Sequence, residues 1–335
     1  MKDYLIDVPV KVNIWIRPEC QRKQFEIIKQ VRPSILFLIS DGGRNEQEWN
    51  AIKKNRKIFD EEIDWDCKIY KLYEKKNIGM YAISKKRNEL IWSTVDKCIF
   101  LEDDLLPTKT FFYFCKEMLD RYENDKRINM ICGMNHLGIY NKVNSDYFFS
   151  KQGSIWGYAT WKREYLKFND FSYYDDPYVL GLLKEKTRKN KVFRKRLLNY
   201  PINYEYEGHI PALEFYIEFS VYAHNQLQIV PKYNLISNIG CDKNATHSDR
   251  YDVLPKSVQR IFNMKSYELD RPLIHPKYII ADKDYEKQRN RIMAYNHPIV
   301  LIYRKSIQLI KTLKIGDYKR VLKKIKSKIR GKKEK

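Results

Sequence analysis

The stretch "KCIFLEDDLLPTKTFFYF", Lys97–Phe114, decides how this chain is read. Its apolar run Cys98-Ile99-Phe100-Leu101 has the length and composition of a buried strand. Three consecutive carboxylates follow, Glu102, Asp103 and Asp104, before apolar residues resume. Adjacent like charges repel, and none of the three suits a buried strand. Pro107 then precedes "TKTFFYFCKEMLDRY", whose apolar spacing is helical, and proline is tolerated at a helix start. A strand, an acidic turn and a helix therefore succeed one another, and something positive belongs at the turn.

Outward from this point the same alternation repeats. "VKVNIWIR" (residues 10–17) has period two, and "PECQRKQFEIIKQV" after it has helical spacing. "SILFLIS" reads as a buried strand ending at Asp41-Gly42-Gly43, a turn signal. "NEQEWNAIKKNRKIF" reads as helix, "CKIYKLY" as strand and "MYAISKKRNELIWSTV" as helix, while "INMICGMN" after the acidic turn and its helix is a fifth strand. Strands separated by helices predict an α/β fold with a parallel, doubly wound central sheet. Ligands of such sheets sit at the carboxyl ends of the strands. Arg17 follows the first strand, Asp41 the second and the acidic triplet the fourth, so polar groups gather on one edge. Beyond, "DDPYVLGLLKEKTRKNKVFRKRLLNYP" is helical and basic, "PALEFYIEFSVYAHN" is a helix running into the strand "LQIVP", and short helices follow Pro272.

Composition sets the bounds. The 335 residues suffice for a substantial core, and 43% hydrophobic with 14% aromatic content excludes a disordered chain. Six scattered cysteines without a C-x-x-C pair argue for reduced thiols rather than disulfides or a zinc site. The first residues, "MKDYLIDVPVKVNIW", carry charges where a signal peptide needs an apolar run, and no run is long enough to span a membrane, so a cytoplasmic protein is expected. The net charge of +22 is unevenly placed: from Arg304 to Lys335 fourteen basic residues face two acids, a local +12. There, Val321, Leu322, Ile325 and Ile329 share one helical face among lysines, a basic amphipathic pattern suited to an anionic membrane surface; the plainer alternative is a soluble lysine-rich terminus. No aromatic-interleaved basic motif points to nucleic acid.

Carboxylates beside a strand end are what a hard divalent cation requires. Mg²⁺ or Mn²⁺ takes oxygen ligands, keeps open positions and is completed by phosphate oxygens, so a nucleotide diphosphate leaving group is the natural partner. The competing reading is an exposed acidic turn beside the helix that begins near Thr108.

"IFLEDDLLP" resembles the D-x-D-type metal motif of sugar-nucleotide-dependent glycosyltransferases with the GT-A fold, nearest the branch that includes N-acetylglucosaminyltransferase I and bacterial surface-polysaccharide transferases. "LFLISDGGRN" is similar to the second-strand S-D-G segment of that bacterial group, and "KKNIGM" to its Asn-x-Gly turn. "SIWGYATWKREY" resembles its W-G-W-A-T-W box, with Tyr158 in place of the central tryptophan. "LEFYIEFSVYAHNQLQIVPKYNLISNIG", followed by "ATHS", resembles its W-D…I-V-P-x-x-N-L-I-S-N-I-G…A-T-H-T segment. The resemblance covers about residues 10–250.

It implies a GT-A catalytic domain over 1–255, with a nucleotide-sugar half (1–135) and an acceptor half (136–255); outside the resemblance, a helical extension (256–303) and the basic tail (304–335) are expected. It also implies that Asp104 binds Mn²⁺ or Mg²⁺, that Asp103 turns towards sugar or ribose, and that Arg17, Asp41 and Asn77 hold the nucleotide. Glu214 matches the aspartate of W-D, the position of the base that deprotonates an acceptor hydroxyl. Leu213 and Glu214 both depart from that pattern, leaving Glu218 and Glu207 as rivals. His247 is a metal or phosphate ligand by the same resemblance, or else a solvated loop histidine. Of Trp156 and Trp161, one is expected in the core, and Trp156 is expected to face the sugar.

The expected function is transfer of a sugar from a nucleotide diphosphate, by family habit UDP, to a glycan or lipid-linked acceptor in bacterial surface polysaccharide synthesis, with inversion. Two alternatives stand beside it: nucleotidyl or phosphoryl transfer on the same sheet, and a non-enzymatic basic membrane- or nucleic-acid-binding protein. The absence of a G-x-x-x-x-G-K-[ST] loop counts against the former.

Overall fold

The computed structural model describes residues 1–167, 170–207, 212–240, 254, 256–294 and 297–314. In chain order its first part comprises β1 (Ile6–Asn13), α1 (Pro18–Val31), β2 (Pro33–Ser40), α2 (Glu46–Glu61), β3 (Lys68–Tyr73), α3 (Met80–Thr94), β4 (Lys97–Leu101), β5 (Leu105–Pro107), α4 (Lys109–Arg121) and β6 (Ile128–Cys132). Then come β7 (Tyr147–Ser150), β8 (Tyr158–Trp161), α5 (Lys162–Tyr165), α6 (Pro177–Lys186), α7 (Lys191–Glu207), α8 (Leu213–Ala223), β9 (Leu227–Pro231), β10 (Ile236–Asn238), α9 (Lys256–Gln259), α10 (Lys283–Met293) and α11 (Pro298–Lys314).

Eight strands form one sheet in the order β3-β2-β1-β4-β8-β6-β9-β7. The first four neighbours pair in parallel, as the strand–helix alternation predicts. The mostly parallel sheet expected from the sequence is found, with one antiparallel insert among these strands. β6 runs in the same direction but does not touch β4, because β8 enters between them, antiparallel to both. β8 is four residues long, bracketed by Gly157 and α5, and such a short insert leaves little periodicity to read. At the far edge β7 pairs antiparallel with β9. The sheet is thus mixed and mostly parallel, with helices on both faces and helices α10 and α11 at the C-terminal end.

Local chemistry sets the helix starts. Asn45 accepts a hydrogen bond from the Glu48 amide to begin α2, Thr108 accepts one from Phe111 to begin α4, and Pro18 opens α1. Strand parity divides the core. Leu36, Leu38, Ile99 and Leu101 face α1, α2 and α4, where Phe25, Phe59, Phe112 and Met118 are fully buried. Phe37, Ile39, Cys98 and Phe100 face the other way, towards Ile91 and Trp92 of α3. Both faces are covered, so central strands read as continuous apolar runs. A third, aromatic cluster of Tyr173, Phe193, Leu197, Phe215 and Phe219 joins α7 and α8. The segment after residue 255 is anchored in this body: Leu269, Leu273 and Ile292 join the first core, and Tyr285 is fully buried in the second.

Candidate active site

Parallel pairing of β1 with β2 and β4 sets Asn13 opposite Ile39 and Val12 opposite Leu101, so the three strands end on one rim. Arg17, Asp41 and the acidic triplet leave the sheet there, as expected from the sequence.

The triplet divides its work. Glu102 turns back onto the sheet, where its carboxylate takes hydrogen bonds from Lys11 Nζ at 3.0 Å and from Asn13 Nδ2. Lys11 is fully buried, and burial lowers its ammonium to about 8 although Glu102 pulls the other way. Burial acts to raise the Glu102 carboxyl, yet the charges of Lys11 and Arg87 outweigh it and hold the group below its ordinary range. This ion pair closes the strand ends and leaves the chemistry to the next two acids.

Asp103 Oδ2 lies 2.7 Å and Asp104 Oδ2 3.8 Å from the same Nη1 of Arg17, itself 7% exposed at the start of α1. Burial pushes the Asp103 carboxyl up to about 7; Arg17 opposes this, while the charges of Asp104 and Glu102 add to it. Burial raises Asp104 as well, against the pull of Arg17 and a hydrogen bond from Asn238. Among the described residues one guanidinium therefore serves both acids.

The turn is rigid. β5 pairs antiparallel with β10, setting Leu105 opposite Asn238, and the Ile239 amide donates to the Asp104 carbonyl at 2.9 Å. Gln24 Nε2 donates to the carbonyls of Glu102 and Leu105 at 2.8 and 2.6 Å. Gly240 lies so close that a Cβ there would stand 2.3 Å from Asp104 Cβ and 2.5 Å from its Oδ2. The "SNIG" stretch thus forms one wall of the acidic turn.

Asp41 and Asn77 meet, but chiefly as a knot. Asp41 accepts from the amides of Gly42, Ile78 and Gly79 at 2.8–2.9 Å and from Asn77 Nδ2 at 3.2 Å, and Asn77 also donates to the Gly42 carbonyl. A Cβ on Gly42 would fall 2.3 Å from the Lys76 carbonyl carbon, so only glycine admits this contact. The carboxylate orders the β2 and β3 exits against each other.

Glu214 stands exposed in the first turn of α8, where Leu213 and Ile217 pack onto the second core. Its charge, with those of Arg87 and Glu102, acts on the buried Tyr158 phenol. Of its rivals, Glu218 accepts from Asn190 Nδ2 at 2.6 Å and is raised by burial, which commits it to the α7 side. The Glu207 side chain and His247 lie outside the described residues. Trp161 is 2% exposed, donates from Nε1 to the Leu119 carbonyl and stacks under Arg163, a core residue. Trp156 is half-buried, its ring 5.0 Å from that of Phe262. Its neighbour Gly157 has φ +62°, and a Cβ there would meet Ile236 of β10 at 2.1 Å.

Sequence reasoning missed two cations. Lys11 alternates with Val10 and Val12, which suggests a solvated face, but the second helical layer covers it. Arg87 of α3 acts on Lys11, Glu102 and Tyr158 at once and donates from Nε to Asn88 Oδ1 at 3.1 Å. It borders a groove between α3, α8 and the sheet, lined also by Trp92, Phe100, Asn129, Tyr158 and Leu213. Its only trace in the sequence is the basic run "KKR", which resembles any solvated helix face.

Among the described residues no group of three or more His, Cys, Asp or Glu side chains forms a metal cage. Two hard carboxylates, raised by burial and sharing Arg17 among the described residues, nevertheless fit a divalent cation held by one or two protein oxygens and completed by phosphate and water.

No family model matches the chain, and no curated protein matches it. Among solved structures, mouse xyloside xylosyltransferase 1 in its apo form aligns at 12% identity and TM-score 0.35, over 72% of this chain and 99% of its own. A197 from STIV aligns at 10% identity and TM-score 0.26, over 50% and 68%. Glucosyl-3-phosphoglycerate synthase from Mycobacterium tuberculosis, in complex with Mn²⁺, UDP-glucose and phosphoglyceric acid, aligns at 10% and 0.27, over 48% and 58%. Likenesses this slight carry no weight for function.

Proposed function

We propose that the protein is a glycosyltransferase that moves a sugar from a nucleotide diphosphate, in the first instance a UDP-sugar, to a glycan or lipid-linked acceptor. The observation that carries this reading is the pairing of Asp103 and Asp104 with one arginine, Arg17, where β4 ends beside β1 and β2. Two adjacent, largely buried acids that share one arginine attract a cation with an anionic ligand, and a diphosphate is such a ligand.

Asp104, with Asp103 beside it, would hold Mn²⁺ or Mg²⁺; when bound, the ion offsets the negative charge on the diphosphate. Arg17 adds a fixed positive charge at the same place, and Arg87 a second at the groove. Asp41 and Asn77 shape the floor on which the nucleotide lies, and Trp156 offers a ring face to the sugar. Glu214 takes the proton of the acceptor hydroxyl as its oxygen bonds to the anomeric carbon. The bond from that carbon to the phosphate oxygen breaks, and its electron pair leaves with the nucleoside diphosphate. Attack from the face opposite the leaving group inverts the centre.

The same reading divides the chain into a donor half (1–135) and an acceptor half (136–255), and includes bacterial surface polysaccharide synthesis and a cytoplasmic, peripherally membrane-bound placement through the basic tail. Among the described residues no helix is long and apolar enough to cross a membrane.

A thermal-shift panel of nucleotide sugars with and without Mn²⁺ tests the proposal, since a ligand of the native state raises its melting temperature. Stabilisation by a nucleotide sugar that requires the ion, and that Asp104→Asn abolishes, is expected. Stabilisation by nucleotide sugars equal with and without metal, or retained in Asp104→Asn, refutes the metal assignment. No stabilisation by any of them refutes the donor class.

A further inference from the structure

α11 is amphipathic the wrong way round. The side turned to the protein carries polar groups beside the partly buried Val300 and Ile307: Arg304 is 8% exposed and donates to the carbonyls of Arg291 and Ile292, Lys311 Nζ donates to the Leu254 carbonyl at 3.1 Å, and Thr312 is buried. The side turned outward is apolar, with Ile299 81%, Ile302 65%, Tyr303 65%, Leu309 47%, Ile310 53% and Leu313 39% exposed. At about 100° per residue these six share an arc of roughly 120°. Exposed Lys305 and Lys314 border the arc. A surface helix ordinarily buries such a stripe in the core, and a contiguous apolar face left in water marks an interaction site.

We infer that this face docks on the headgroup region of an anionic lipid bilayer, with α11 lying in the plane of the surface. Charge selects this occupant. The chain continues from α11 into residues 315–335, which hold ten Lys/Arg against two acids, so a strongly cationic stretch of sequence follows the helix that bears the apolar face. Like charges oppose face-to-face pairing of two copies, whereas an anionic bilayer satisfies the apolar face and the lysines together. α11 itself, 17 residues with four basic ones, is unsuited to spanning. The inference is independent of the sugar-transfer reading; it deepens only the peripheral placement, by assigning the contact to α11 rather than to tail charge alone.

The test is co-sedimentation of the full chain with phosphatidylcholine vesicles with and without about 30% phosphatidylglycerol. Three proteins are compared: wild type, Ile302→Glu/Ile310→Glu, and Lys323→Glu/Lys324→Glu, each checked for native melting and nucleotide-sugar stabilisation. Wild type is expected to bind only the anionic vesicles, and Ile302→Glu/Ile310→Glu to lose at least about tenfold in partitioning while remaining folded. If that variant binds like wild type while Lys323→Glu/Lys324→Glu does not, adsorption is by tail charge alone; the peripheral placement then stands and the α11 inference falls. If wild type ignores vesicles and sediments as a dimer that Ile302→Glu/Ile310→Glu dissolves, the face is a self-association surface and the inference is overturned.

Discussion

In protein stripped of divalent cations, Asp103 should make the fold less stable as pH rises. Its carboxyl is pushed up to about 7 in the folded state, against 3.8 when free, chiefly by burial and by the neighbouring acids. A raised folded value means that the native state binds more protons than the unfolded chain between those limits, so stability is greatest below the lower value and is lost up to the higher one. At 1.36 kcal/mol per pH unit the loss is about 4 kcal/mol in all, of which roughly 3 falls between pH 5 and 8. Asp103→Asn replaces the carboxylate with a neutral amide whose oxygen still accepts from Arg17. Below about pH 4 the variant should match wild type; it should be the more stable protein by about 1.5 kcal/mol at pH 5 and by about 4 kcal/mol near pH 8. Urea unfolding in the presence of a chelator, followed by tryptophan fluorescence at several pH values, measures the difference. Mn²⁺ should restore the wild type above pH 7 but leave Asp103→Asn much less affected. Curves for the two proteins that run parallel from pH 5 to 8 would refute the assignment of an acid raised by burial to this turn.

Asp104→Asn should leave far-UV circular dichroism and melting near wild type while reducing nucleotide-sugar hydrolysis at least about a hundredfold, the order seen when one electrostatic group is removed from an active site. Gly240→Ala places a Cβ where Asp104 stands, so it should cost about 1–3 kcal/mol in unfolding free energy and weaken metal-dependent donor binding, both read by calorimetry. Glu102→Leu leaves buried Lys11 without its carboxylate and should cost about 3–5 kcal/mol in urea unfolding, more than Lys11→Met, because Glu102 is 44% exposed and water can replace its partner. Arg87→Ala should raise the KM for donor about tenfold with little change in melting, since its one described hydrogen bond is to the adjacent Asn88.

The β1–α4 half was legible because its physics is local. Apolar runs such as "SILFLIS" and "CIFL", the glycines after Asp41, and proline or a hydroxyl at helix starts specify their elements within a few residues, and right-handed crossovers then order the strands. The collection of Arg17, Asp41 and the triplet on one rim follows from those strand directions alone. Three things required the folded molecule. β8 enters the sheet as a short antiparallel strand whose place is set by pairing with residues about thirty and sixty positions earlier. The triplet separates into a structural glutamate and two aspartates that share Arg17 because Lys11, invisible as a partner 91 residues away, takes the first carboxylate. The third is α11, read from the sequence only as part of the short helices after Pro272 and the start of the basic tail: the packing of Arg304 and Thr312 against the body shows that its apolar face points out. Periodicity records that a helix has two faces; which one meets the protein depends on what the rest of the chain already covers.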